Sequence, residues 1–109
     1  MARKEERVIR LDKPSGTAFQ SILSAFGQLG IRVTQADAAV GTIVATQGAS
    51  LTSWGETITV QLQPVGQSVT DVLISSESSV KMTVVDWGKN AKNLDNLVRQ
   101  IVRQISMIP

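Results

Sequence analysis

The hydrophobic residues of this chain recur at two different spacings, and each spacing predicts one kind of secondary structure. Intervals of three and four residues place side chains on one face of an α-helix. One such segment follows Pro14, with Asp12 or Ser15 expected to cap it, and ends at Gly30, which suits the left-handed conformation that terminates helices. Its apolar residues are Phe19, Ile22, Leu23, Phe26 and Leu29. The second segment begins near residue 90, and its apolar residues are Leu94, Leu97, Val98, Ile101, Val102, Ile105 and Ile108. The sequence therefore predicts two amphipathic helices, the second of which is the longer.

Alternation of apolar and polar residues predicts β-strands in the rest of the chain. It is clearest at residues 56–63, where Ile58, Val60 and Leu62 alternate with threonine and glutamine, as in an antiparallel strand with one buried face. Further strands are predicted at residues 7–11, 31–34, 42–47 and 69–75, with a short last strand at 80–85. Residues 37–41 are expected to form a turn and residues 75–79 a polar loop.

The order of these elements, β-α-β4/5-α, predicts the architecture. Consecutive strands joined by short turns pair as an antiparallel meander. The apolar face of such a sheet needs a cover, and the two helices carry the remaining large apolar surfaces. We therefore expect a single α+β domain over residues 1–109, a two-layer antiparallel sheet with both helices on one face. The long C-terminal helix is expected to lie across the sheet.

Charge is distributed unevenly along the chain and bears on its partners. The formal net charge is +2, and residues 33–80 contain no lysine or arginine. A nucleic-acid-binding surface concentrates basic side chains on one face, so nucleic acid is not an expected partner. No apolar run exceeds three residues, which argues against a membrane span. The charged start of the chain lacks the apolar centre of a signal peptide, so we expect a cytoplasmic protein.

The composition restricts the chemistry that the chain can perform. It contains no histidine, cysteine or tyrosine, and so lacks the commonest general base, the commonest metal ligand and a thiolate nucleophile. Its glycines match neither the dinucleotide-binding pattern nor the phosphate loop. No loop has the ligand spacing of a calcium site. We therefore expect no enzyme activity, no bound metal and no cofactor.

Both tryptophans precede a glycine near the predicted end of an element. The two segments are Trp54-Gly55-Glu56 and Asp86-Trp87-Gly88-Lys89-Asn90. If the two rings line one pocket, with acidic side chains as polar anchors, the candidate ligand-binding residues are Trp54, Glu56, Asp86, Trp87 and Asn90. A structural interpretation accounts for the same residues: each tryptophan covers an edge of the core, each glycine makes a turn, and Asp86 or Asn90 caps the last helix.

The element order resembles the TATA-binding-protein-like folds and the helix-grip folds of birch-pollen-allergen-type ligand carriers. The two tryptophan segments also resemble those of a class of small uncharacterised bacterial domains with a Trp-Gly-Glu strand entry and an Asp-Trp-Gly-Lys-Asn stretch before the final helix. The DNA-binding version of the fold needs basic and apolar side chains on its open sheet face. Here that face is expected to show threonine and glutamine.

Two functions of different classes remain. The first is a non-catalytic binding or protein-interaction module, working through the sheet face or a sheet edge, as a homodimer or with another protein. An uncharged sheet surface suits pairing between identical copies. The alternative is a small carrier that holds an apolar small molecule between the C-terminal helix and the sheet. The carrier predicts a cavity of at least ~300 Å³.

Overall fold

Five strands and two helices make up the part of the chain that the structure describes. The structure is a computed structural model, and it describes residues 3–47, 56–78 and 89–108. In chain order the elements are β1 (Arg3–Leu11), α1 (Ser15–Leu29), β2 (Arg32–Asp37), β3 (Thr42–Gln47), β4 (Glu56–Gly66), β5 (Val69–Ser78) and α2 (Lys89–Ser106). The predicted strand at 80–85 lies outside the described residues.

The strands form one antiparallel sheet in the order β1-β5-β4-β3-β2. Strands β2 to β5 follow one another as the predicted meander. Strand β1 lies at the opposite edge from β2 and pairs with β5, over a register from Arg3 opposite Ser78 to Leu11 opposite Thr70. The two edges of the sheet are therefore formed by β1 and β2, which are consecutive strands of the chain separated only by α1.

The helices cover one face of the sheet, which we call the inner face. Helix α2 packs on β1 and β5, and α1 packs beside it on β2, β4 and β5. Alternate residues of each strand point to this face. The largest fully buried apolar side chains are Phe26, Ile22, Ile43, Ile58, Ile74, Leu94, Leu97, Ile101, Val60 and Val72, and they belong to one core. The predicted two-layer α+β architecture is confirmed.

The two ends of α1 show how far local signals determine a helix. Gly30 has φ 69° and follows the last helical residue, as predicted, and the Ile31 N–H donates to the Phe26 carbonyl at 2.9 Å. The predicted side-chain cap is wrong: the N-cap position is Pro14, and no side chain donates or accepts there. Because the helix begins at Ser15, that hydroxyl already lies inside the first turn.

Neither helix, within the described residues, is long and apolar enough to cross a bilayer.

The end of β5 differs from the sequence prediction. Residues 75–78 belong to the strand, not to a polar loop. They pair with residues 3–6 of β1, whose backbone supplies hydrogen bonds whatever the polarity of the side chains. Ser76 is fully buried on the inner face, whereas Glu77 is exposed on the other side. Strand β1 is correspondingly longer than the predicted 7–11.

An ion pair joins β1 to β5 on the outer face of the sheet and should make the stability depend on pH. The Arg10 Nε lies 2.7 Å from the Asp71 Oδ1, and its Nη2 lies 3.1 Å from Oδ2. The hydrogen bond from Arg10 holds the pKa of Asp71 below its ordinary value. A carboxyl whose folded pKa is lowered stabilises the fold above its unfolded pKa, about 3.9, and loses this contribution as pH falls through the folded value.

We therefore expect an NMR titration to place the Asp71 midpoint below the ordinary range for aspartate. Arg10→Gln should raise that midpoint. It should also make the free energy of unfolding fall less steeply as the pH is lowered. An Asp71 midpoint that does not move in Arg10→Gln would show that the guanidinium does not set this pKa.

Candidate functional site

A buried carboxylate lies at the polar end of the inner face. Glu56 is the first residue of β4 and is only 6% exposed. Its Oε2 accepts a hydrogen bond from the hydroxyl of Ser76, which is itself fully buried on β5. A buried charge is costly unless it is hydrogen-bonded, so an acid retained beside an apolar core needs such partners. The Glu56–Ser76 pair is therefore the clearest polar feature inside the sheet layer.

The strand pattern explains why both side chains point inward. Side chains two residues apart point to the same face of a strand, so Glu56 points to the same buried face as Ile58, Val60 and Leu62. On β5, Ser76 follows Val72 and Ile74 at the same spacing. Glu56 was among the predicted ligand-binding residues. Ser76 was missed, although its position in the alternation after Ile74 is a signal that could have found it.

A second polar group ties β1 to α2 at the same end of the fold. The Arg7 Nε donates to the Asp95 Oδ1 of α2 at 3.1 Å, and its Nη1 lies 3.8 Å from the Glu5 Oε2. In the sheet register, Glu5 lies opposite Ser76. The arrangement can accept hydrogen bonds from a donor, and it forms no metal-binding cluster among the residues described.

The structure places only part of the predicted site. Of the five candidate residues, Trp54, Asp86 and Trp87 lie outside the described residues. Asn90 is the second residue of α2, so it lies within the first helical turn and is not the cap of that helix. Glu56 is the one candidate whose surroundings are described. The grouping of the two tryptophans with Glu56 stays a prediction.

Three surface hollows are lined by residues that the structure describes, and neither Glu56 nor Ser76 lines any of these three. A groove of about 500 Å³ lies between α1 and the end of α2. Another, of about 450 Å³, lies between β1 and α2, and a small hollow of about 160 Å³ lies between the start of α1 and the β2–β3 turn. Both larger grooves are shallow and open to solvent, so neither is an enclosed ligand cavity. The groove between β1 and α2 is lined by Arg7, Val8, Ile9, Asp95, Val98, Arg99 and Val102.

Comparison with solved structures identifies the fold. A START superfamily protein from Mycobacterium smegmatis superposes with a TM-score of 0.70 at 14% identity, over 97% of this chain and 99% of that one. The ZhuI aromatase/cyclase from Streptomyces sp. R1128 gives 0.59 at 10% identity, over 98% and 88% of the two chains. Norcoclaurine synthase from Thalictrum flavum, in complex with dopamine and hydroxybenzaldehyde, gives 0.60 at 11% identity, over 100% and 89%.

These similarities establish a helix-grip fold and confirm that part of the sequence-based resemblance. They do not support the TATA-binding-protein-like resemblance or the likeness of the tryptophan segments. No protein-family model matches the sequence, and no curated protein matches it. At such low identity the likeness shows the fold alone.

Proposed function

We propose that this chain binds an apolar small molecule that bears a hydrogen-bond donor, between α2 and the inner face of the sheet. The observation that carries the proposal is the buried Glu56–Ser76 pair at the end of the apolar core between the sheet and the helices. Ligand sites in proteins are mostly apolar, with a few fixed polar groups that orient the ligand. Here the carboxylate accepts a hydrogen bond from the ligand, and the apolar side chains beside it supply the contact area.

Two further facts support a binding role. The neighbours in fold include an enzyme crystallised with two small molecules and an aromatase/cyclase, so this architecture accommodates such ligands elsewhere. The chain has no histidine, cysteine or tyrosine, so it lacks the commonest general base and a thiolate nucleophile. We therefore propose a carrier that holds its ligand without converting it. This reverses the order of the two hypotheses drawn from sequence.

The interaction-module hypothesis keeps support from a separate surface. Val8 and Leu73 are exposed apolar residues on the outer face, which the helices do not cover. This surface lies on the opposite side of the sheet from Glu56. A role in protein association is therefore compatible with ligand binding.

Binding is tested on the purified full chain with N-phenyl-1-naphthylamine, an apolar fluorophore with one N–H donor. We expect saturable fluorescence at one probe per chain, and native mass spectrometry of freshly purified protein should show a co-purifying small molecule. Glu56→Gln should weaken probe binding about tenfold, because a charge-assisted hydrogen bond becomes a neutral one.

The matched control is Glu77→Gln, which makes the same chemical change at an exposed residue of the outer face. It should leave the affinity unchanged. The absence of both a co-purifying molecule and saturable fluorescence would refute the carrier. Equal affinities for the two variants would refute Glu56 as the anchor.

A further inference from the structure

Three exposed apolar side chains lie near the edge of the sheet at β1. Val8 is 70% exposed on the outer face, and Leu73, directly opposite it on β5, is 39% exposed. On the helix layer above the same edge, Val102 of α2 is 51% exposed. Apolar side chains exposed side by side, as Val8 and Leu73 are, become favourable contact area when a partner covers them.

The backbone of β1 along this edge is a second feature of the same surface. Strand β1 is the terminal strand of the sheet, so one side of it has no neighbouring strand within the described residues. An open edge of this length is a template for another strand. The groove of about 450 Å³ between β1 and α2 runs along it and contains Val8 and Val102.

We propose that two copies of this chain associate by antiparallel pairing of β1 with β1 of the second copy, centred on Val8. An antiparallel pair of identical strands has a twofold axis, so one residue lies opposite its own copy. Centring on Glu5, Glu6 or Arg7 places like charges directly opposite each other, which is destabilising. Centring on Val8 places no like charges opposite each other over residues 5–11.

The charges of β1 are complementary in this register. Glu6 lies opposite Arg10 of the second copy, and the twofold axis makes this contact twice. Glu6, Val8 and Arg10 are all exposed, and by the strand alternation they share the outer face. Arg10 is already oriented by its two hydrogen bonds to Asp71. These charge pairs therefore favour the register centred on Val8 over those centred on Glu5, Glu6 or Arg7.

The dimer covers the exposed apolar residues in both layers. On the outer face, Val8 and Leu73 of the two copies form one continuous strip across the twofold axis. On the helix layer, the two α2 helices approach each other over the grooves that contain Val102. The opposite edge offers no equivalent surface, because β2 is only 6 residues long and its pairing with β3 shifts register between Val33 and Gln35.

A single cysteine tests the register, because the chain contains none. Residues directly opposite in an antiparallel pair have Cα atoms about 4.5–5.5 Å apart, within the range for a disulfide. Under mild oxidation we expect Val8→Cys to form a disulfide-linked dimer almost completely. Val40→Cys, at a residue that is 62% exposed on the β2–β3 turn, should stay mainly monomeric. Equal yields from the two variants would overturn the proposed register.

Sedimentation equilibrium tests the association itself. We expect the wild-type chain to be dimeric at concentrations well above the micromolar range. Val8→Lys, which places two ammonium groups at the twofold axis, should be monomeric with unchanged circular dichroism. Val40→Lys should remain dimeric. A monomeric wild type, or a Val8→Lys variant that stays dimeric, would refute the proposal. Probe binding at Glu56 is measured separately, so failure of one proposal is distinguishable from failure of the other.

Discussion

Phe26→Ala is expected to lower the free energy of unfolding by about 3–5 kcal/mol, the range for removing a fully buried phenylalanine. The Phe26 side chain has no exposed surface and belongs to the core that joins α1 to the sheet and to α2. Its loss removes apolar contact area and leaves a cavity, because the surrounding strands and helices cannot fully close around an alanine.

Urea denaturation followed by circular dichroism measures this change. Gln20→Ala, at an exposed position of the same helix, is the control and should change the stability by less than about 0.5 kcal/mol. If Phe26→Ala costs less than about 1 kcal/mol, the side chain is not packed in the core as described here.

Gly41→Ala is expected to destabilise the fold by about 2–4 kcal/mol, through two effects that add. Gly41 has φ 71°, a conformation that side chains with a Cβ rarely adopt. A Cβ at this position would also lie 2.8 Å from the Leu62 carbonyl oxygen, which is part of the β4 backbone and cannot swing away. The Leu62 N–H donates to the Gly41 carbonyl at 2.7 Å, so the turn and β4 are held together at this point.

Gly30→Ala separates the two effects. Gly30 has nearly the same φ, 69°, but no heavy atom lies within 4 Å of the position its Cβ would take. We expect it to cost about 1–2 kcal/mol, the backbone strain alone. Equal costs at the two positions would show that the approach of the β2–β3 turn to Leu62 does not constrain residue 41.

The elements with a sustained pattern could be predicted from the sequence. Strand β4 alternates over Ile58, Val60 and Leu62, and α2 repeats its apolar residues at helical spacing, so each pattern has one interpretation. The end of β5 could not be predicted this way. Residues 75–78 carry only serine and glutamate, and they are extended because they pair with β4 on one side and with β1 on the other. The side-chain pattern of β5 itself contains no signal for either pairing.

In the candidate site, too, only the residue within a clear local pattern could be predicted from the sequence. Glu56 was found because it precedes a clear alternation and follows a tryptophan and a glycine. Its partner Ser76 lies 20 positions further along, and Arg7 and Asp95 are separated by 88. No periodicity within one element relates residues at such distances, because the sheet order brings them together. The order of the strands in the sheet therefore determines which charged side chains lie at the same end of the fold.

The position of β1 also has a consequence for how the protein is made. Each residue of β1 must find a partner on β5 that lies roughly sixty or more positions later, whereas β2–β3 and β4–β5 are adjacent hairpins that close quickly. During synthesis the first strand therefore leaves the ribosome long before its neighbour exists. Six of its nine residues are charged, and closure of β1 onto β5 is expected to be the late step that completes folding.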